Sequence, residues 1–419
     1  MEVQKFNIKN IPTHLAKTDK FKTITIQVVF LNEFSKENAT KLSLLTRLLN
    51  SSTKLYNSKK KLVNKLYDLY DASLAVYSYP TYKTSTTIFS LEIVNENNLN
   101  DKNLMNDAIE FLNEVIFNPN IENGKFSQKE FLEEKRRLKE SIEKIYDNKN
   151  RYTLRKMIQL MCKDEITSVS SLGTLEDLDQ ITESDIAIEY EKLINTSNIS
   201  MYVVGDIEKD EVISKFNKLD FTRNSSFDFE IESNEEHKVL SVKEEREVQN
   251  VNQSILCMGF RTEFNTSHSL YYQSLVFCEM YGGGYVSDLF RVVREENSLA
   301  YNIVSQMISD VKLMVVNAGI DGKNYDLTTD LVIKELANYK IGKINSDLLD
   351  IAKSSLISEI AEIEDDSKAY ISYMIKNYVT KTDLTLDDII NKLNETTIED
   401  IRKVANGINL DTIFLLTNN

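Results

Sequence analysis

Gly282 to Tyr301 read GGGYVSDLFRVVREENSLAY. The glycines close a helical run that begins at His268, HSLYYQSLVFCEMYGG. VSDLFRVVREEN has the spacing of a second helix, and LAYNIVSQM opens a strand. Gly282-Gly283-Gly284 follow a helix rather than a strand, and no Gly-Lys-Ser/Thr comes after them. They therefore read as a flexible turn that lets two helices pack closely, not as a phosphate cradle. Arg294 falls on the second helix and Tyr301 at the start of the strand. A guanidinium is a planar fork able to grip a carboxylate or a peptide carbonyl, and a phenol can donate one hydrogen bond to a developing oxyanion. The residues alone equally allow a structural tie between helix and sheet, which is the plainer reading.

The same order of elements occurs earlier in the chain. FKTITIQVVF (21–30) alternates with Ile24, Ile26, Val28 and Phe30 on one face, as a half-buried strand does. Leu42, Leu45 and Leu49 mark a helix ended by Asn50-Ser51-Ser52, and Leu62, Leu66 and Leu69 mark another. Strands follow from Asp71 and from Thr86. Ser127 with Glu130 has the spacing of a capping box for a long charged helix reaching about Tyr146. Asp71-Ala72-Ser73-Leu74 holds the place that Asn297-Ser298-Leu299-Ala300 holds later, and ISMYVVGD from Ile199 corresponds to the final DTIFLLTN. A chain that runs twice through one series of elements predicts two similar domains, 1–220 and 251–419. The polar stretch Phe221–Asn250 reads as a linker. Clustered strands with helices grouped between them predict an α+β fold.

Composition narrows the function. With 419 residues and 42% hydrophobic content, the chain can build two cores. Fifty Lys and Arg against 65 Asp and Glu give a net charge of −15, which argues against binding nucleic acid through phosphate contacts. No run of about 18 apolar residues is present to span a membrane, and the N-terminus lacks the pattern of a signal peptide. Cys162, Cys257 and Cys278 are far apart and odd in number, so reduced, buried thiols and a cytoplasmic location are expected.

A zinc hydrolase needs two or three imidazoles, often four residues apart on one helix. His14, His237 and His268 are isolated; His14 is expected in a surface turn and His237 in the linker, both exposed. No Ser-His-Asp or Cys-His set stands out. Glu364-Asp365-Asp366 reads as a solvated helix face.

The order of motifs resembles the insulinase/pitrilysin family. GGGYVSDLFRVVREENSLAY is similar to its C-terminal stretch, SLGTLEDLDQITESDIAIEYEKL to its glycine turn and helix, and NISMYVVGDI to its last N-terminal-half strand. The resemblance implies two similar halves, each a mainly antiparallel sheet packed with helices, as in the insulinase/mitochondrial-processing-peptidase fold. The family's His-x-x-Glu-His aligns with Ser43, Thr46 and Arg47, and its third ligand with Ser141 beside Glu140. A partner glutamate survives as Glu134, and a one-residue slip brings in only Leu44 and Leu48. By this alignment the chain has no catalytic residues, no metal ligands and no cofactor of its own. Arg294 and Tyr301 match the family's substrate-binding Arg and Tyr. TDKFKTITIQVVF, LYDLYDA and VREENSLAY further resemble the zinc-less YfmF-type group. Those proteins accompany a zinc-bearing homologue, with bacterial members associated with elongation factor P modification and related pairs with maturation of ribosomal peptides. The implied role is a non-catalytic subunit of a heterodimeric peptidase, acting on peptide substrates with zinc on the partner. A peptide- or protein-binding scaffold with no part in proteolysis is the alternative.

Overall fold

The alternation after Phe21 becomes the middle of a sheet because its apolar side faces a layer of helices. In the computed structural model, which describes residues 1–99, 103–221 and 228–418, the chain divides into two compact units. The first comprises Met1–Glu143, Val169–Glu230 and Ile363–Val379. Its strands are β1 (Val3–Ile8), β2 (Ile11–Lys17), β3 (Thr23–Glu33), β4 (Ser73–Thr81), β5 (Thr84–Val94), the short hairpin β6 (Ile121–Glu122) and β7 (Lys125–Phe126), and β8 (Asn198–Gly205). The main sheet has the order β1-β2-β8-β3-β5-β4, antiparallel except for β2 beside β8. Ile26, Val28 and Phe30 meet Leu44, Leu45 and Leu48 of the helix Ala39–Leu49, together with Ile109 and Leu112 of Leu104–Phe117 and Ile186 of Glu183–Thr196. Burying such side chains is the main driving force for this packing.

β3 is buried on both faces, not one. The helix Ser367–Val379 packs on β3 and β8, and the Thr25 and Ser367 hydroxyls lie 2.7 Å apart. Gln27, also on this second face, donates to Ser90 Oγ at 3.3 Å. These polar residues alternate as solvent-facing ones do, so the sequence pattern hides the late helix that covers them. His14 is a second correction. It is 7% exposed within β2, stacked on Tyr202 at 4.9 Å with the edge of Tyr378 nearby. The turn lies earlier, at Lys9 and Asn10, whose φ values of 47° and 65° suit the tight turn of a two-residue hairpin.

The second unit comprises Lys144–Ser168, Ile231–Glu362 and Thr380–Asn419. Its strands are β9 (Lys243–Val248), β10 (Ser254–Arg261), β11 (Ala300–Ile308), β12 (Leu313–Ile320) and β13 (Asn409–Thr417), in the order β11-β12-β10-β13-β9. Again the sheet is antiparallel except at one place, where β9 runs parallel to β13. The series β4-β5-β3-β8-β2 and β11-β12-β10-β13-β9 have the same connectivity, so the fold is α+β with two similar, helix-packed sheets.

β9 corrects the reading of 221–250 as linker throughout; residues 222–227 of that stretch lie outside the described ones. LysGluGluArgGluVal lacks the apolar alternation of an inner strand because it is an edge strand, where charges discourage further pairing. The helix Lys149–Met161, read in sequence as part of the first half, packs on β10 and β13 of the second unit. Gly259 makes room for it, since a Cβ there would sit 2.4 Å from Met157 Sδ. Just beyond this helix, Glu165 pairs with buried Arg261, which also reaches Asp411 at 3.4 Å. The acidic run at 364–366 is a helix entrance rather than a helix face. Asp366 Oδ1 accepts from the N–H groups of Lys368 and Ala369, and Glu364 lies 3.5 Å from Lys20 Nζ.

Candidate functional site

The aligned metal positions fall on two helices of the first unit. Ser43, Thr46 and Arg47 lie on Ala39–Leu49, and Glu134 and Ser141 on Gln128–Asp147, near whose start Ser127 is bonded to Glu130. Ser43 and Thr46 are buried, and the Thr46 hydroxyl is taken up by the Ser43 carbonyl at 3.1 Å. Arg47 Nη2 donates to Ser141 Oγ at 3.1 Å, and that hydroxyl donates on to the Arg137 carbonyl at 2.9 Å. The structure thus brings the second-histidine and third-ligand positions together through a cation and a hydroxyl. Glu134 is buried and pairs with Arg137 at 3.2 Å. Burial pushes its carboxyl above the usual range against the pull of Arg137, Lys59 and Arg47. Burial likewise lowers the Arg47 guanidinium from its ordinary value, with Glu134 opposing.

Zinc needs several deprotonated nitrogen, sulfur or oxygen donors around one point. This cluster offers one carboxylate among guanidinium and hydroxyl groups, and no group of three His, Cys, Asp or Glu able to hold a metal occurs among the described residues. The residues present do not fit a zinc ion. Nor do the histidines supply one. His237 is half-buried near Glu165 (3.6 Å) and Glu235 (3.7 Å), and His268 Nδ1 accepts from the Leu270 N–H at 3.0 Å. All three cysteines are buried, and burial pushes the Cys162 thiol up to about 12, so it is no nucleophile.

In the second unit, the helix Tyr271–Cys278 continues as a wider π-turn through Glu279–Gly283, and Phe290–Glu296 is wound the same way. Such turns displace side chains from the ordinary helical track. Gly282 is required by close approach: a Cβ there would lie 3.0 Å from Ser305 Oγ on β11. Ser298, at φ 53°, then turns the chain, with its N–H on the Arg294 carbonyl at 3.0 Å. The register of β11 against β12 shifts between Ala300 and Asn302, leaving Tyr301 in a bulge. A bulge re-aims its side chain, and Tyr301 is 77% exposed.

These local features place Arg294 and Tyr301 together. The guanidinium carbon of Arg294 lies 4.5 Å from the centre of the Phe290 ring and 5.5 Å from that of Tyr301. Aromatic faces attract a cation without using its N–H groups. Arg291, one turn earlier, is instead held by Asp288 at 2.6 Å and by Glu296, and the Asp288 hydrogen bond raises its pKa. Among the described residues Arg294 makes no ion pair. Tyr285, 79% exposed, packs edge-on against Phe290 at 5.5 Å. Sequence reading missed Phe290 and Tyr285; the i, i+4 spacing of Phe290 and Arg294 was the available signal. Chemically, the arrangement can present several guanidinium N–H donors and a phenol to a peptide carbonyl or carboxylate.

Residues 180–356 match the family described as the peptidase M16 inactive domain. The chain is 29% identical over 407 residues to the probable inactive metalloprotease YmfF of Bacillus subtilis (strain 168), covering 97% of this chain and 95% of that protein. The group expected as YfmF-type is thus represented by YmfF. Among solved structures, a conserved protein from Enterococcus faecalis V583 superposes with a TM-score of 0.93 at 29% identity, over 100% of this chain and 99% of that one. A peptidase M16 inactive domain from Pseudomonas fluorescens shares the fold with a TM-score of 0.83 at 14% identity, over 100% and 98%. With a likeness to YmfF that runs nearly end to end and the inactive-domain pattern over 180–356, the chain is similar to inactive homologues of the M16, or insulinase/pitrilysin, metallopeptidases.

Proposed function

We propose that this chain is the non-zinc subunit of a heterodimeric insulinase-like peptidase, lending Arg294 and Tyr301 to a peptide held at the zinc site of a partner. The observation that carries this reading is a guanidinium fixed on aromatic faces, without a carboxylate partner among the described residues, beside an exposed phenol. Arg294 grips a substrate carbonyl or carboxylate through charge-assisted hydrogen bonds, which are roughly twice as strong as neutral ones. Tyr301 donates to the oxyanion that forms when water attacks the scissile carbonyl, and so acts on the transition state more than on bound substrate. Zinc held by the partner would supply the activation of that water; this chain positions the peptide and completes its chamber. Elongation factor P modification or peptide maturation is the setting that the family resemblance implies, and the three free, buried cysteines are what point to the cytoplasm.

The test is peptide hydrolysis by the chain reconstituted with its zinc-bearing partner. Arg294→Ala should raise KM, and Tyr301→Phe should lower kcat; loss of one oxyanion donor amounts to about 10²–10³ in rate. Unchanged hydrolysis by both variants would remove the proposal and leave a scaffold that binds peptide or protein without any part in cleavage.

A further inference from the structure

β4 is an edge strand with β5 as its neighbour in the sheet. Val76 lies opposite Phe89 of β5, yet its backbone bonds go elsewhere. The Val76 N–H donates to Asn50 Oδ1 at 2.8 Å, and the Val76 carbonyl accepts from Asn50 Nδ2. Residues of an antiparallel pair alternate between those that exchange both backbone bonds with the neighbour and those that turn both away. Val76 is of the second kind, so the bonded groups are those of the open edge. A side-chain amide carries one donor side and one acceptor side, as a peptide group does. Asn50 therefore stands where the backbone of an added strand would pair.

Two features hold the amide in place. Asn50 is the residue on which the helix Ala39–Leu49 ends, and its own N–H reaches the Thr46 carbonyl at 3.2 Å. Its Nδ2 also donates to that carbonyl at 2.8 Å. Flipping the amide would set Oδ1 against two carbonyl oxygens and leave the Val76 N–H facing an NH2, so the network fixes one orientation. Val76 is buried while its neighbours Ala75 and Tyr77 are exposed. The cap thus closes backbone groups along a stretch whose flanking side chains remain accessible.

We infer that Asn50 closes the free edge of β4 at Val76, so that an extended peptide adds to this sheet only after the Asn50 amide has been displaced. The contact is an intramolecular block on strand addition. Because pairing there is between backbones, it excludes any extended peptide whatever its side chains. An unblocked edge would be a ready template for such pairing.

The full chain can be compared with Asn50→Ala and Asn50→Asp by hydrogen–deuterium exchange over 73–81. The probe is a fluorescein-labelled octapeptide of alternating Thr and Val. In Asn50→Ala, exchange over this segment should rise about fivefold, the effect of losing one net hydrogen bond. Adding the octapeptide should slow it again, while the wild type shows no such protection. Asn50→Asp has the same shape and keeps the acceptor for the Val76 N–H but sets a carboxylate against the Val76 carbonyl. Its exchange should fall between the two, and circular dichroism identifies a variant that fails to fold. Wild-type exchange rates in both variants would overturn the inference. So would equal octapeptide protection of wild type and variant, or faster exchange with no protection.

Discussion

Arg47 and Arg294 stand on helices of the two sheets, and their surroundings give them opposite fates. Arg47 is partly sunk between helices, bonded to Ser141 and within the field of Glu134. Arg294 rests on the Phe290 and Tyr301 rings and pairs with no carboxylate among the described residues. A guanidinium whose donors are taken up by its own protein holds structure. One fixed through its π-face keeps those donors for another molecule. The positions that the resemblance aligns with metal ligands are thus used in packing in the first unit, while Arg294 in the second keeps its N–H donors unpaired with carboxylates among the described residues.

That contrast can be broken by substitution. Phe290→Ala removes the buried ring under Arg294 and should destabilise the chain by about 3–5 kcal/mol, read as a lower melting temperature. Peptide binding by the folded fraction should also weaken. Arg47→Ala removes one hydrogen bond, to a Ser141 hydroxyl that keeps the Arg137 carbonyl, and should destabilise by about 1 kcal/mol, with no change in hydrolysis by the reconstituted pair. A loss of activity matching that of Arg294→Ala would erase the distinction between the two arginines. Glu134→Gln tests the buried carboxylate of the first unit. Its folded pKa lies above the unfolded value near 4.5, so its contribution is full below that pH and is lost as pH rises through the folded pKa. Denaturation of the Gln variant and the wild type should therefore favour the variant progressively as pH rises above about 4.5. Tyr301→Phe should leave stability within about 0.5 kcal/mol, because the ring is exposed. A larger effect would mark Tyr301 as part of the packing.

The sequence shows the fold through repetition: 21–30 and 253–260 are strands at corresponding places in β3 and β10, and the sheet orders around them agree. It does not show that Ser367–Val379 covers β3 or that Lys149–Met161 covers β10, because helix periodicity says which face is apolar and not which sheet receives it. His14 reads as exposed in a turn, whereas its stacking on Tyr202 comes from parallel pairing with β8, which lies far off in the chain. β9 is invisible because its charges obey the rules of an edge and not those of a core. At the site, the hydroxyls and guanidinium of Ser43, Thr46, Arg47 and Ser141, which the resemblance aligns with the family's metal site, are legible residue by residue. The bulge at Tyr301 and the Phe290 support beneath Arg294 are properties of backbone winding and register, which residue types alone do not specify. Asn50 reads as the end of a helix, and its bonds to Val76 emerge only once β4 has folded beside it.

Among the described residues, the first unit cannot assemble a zinc site from the side chains it has. The direct measurement is zinc stoichiometry of the purified chain, taken together with its hydrolysis of peptides with and without a chelator. The expected result is no tightly bound zinc and no hydrolysis by the chain alone. About one zinc per chain with chelator-sensitive cutting would contradict the account.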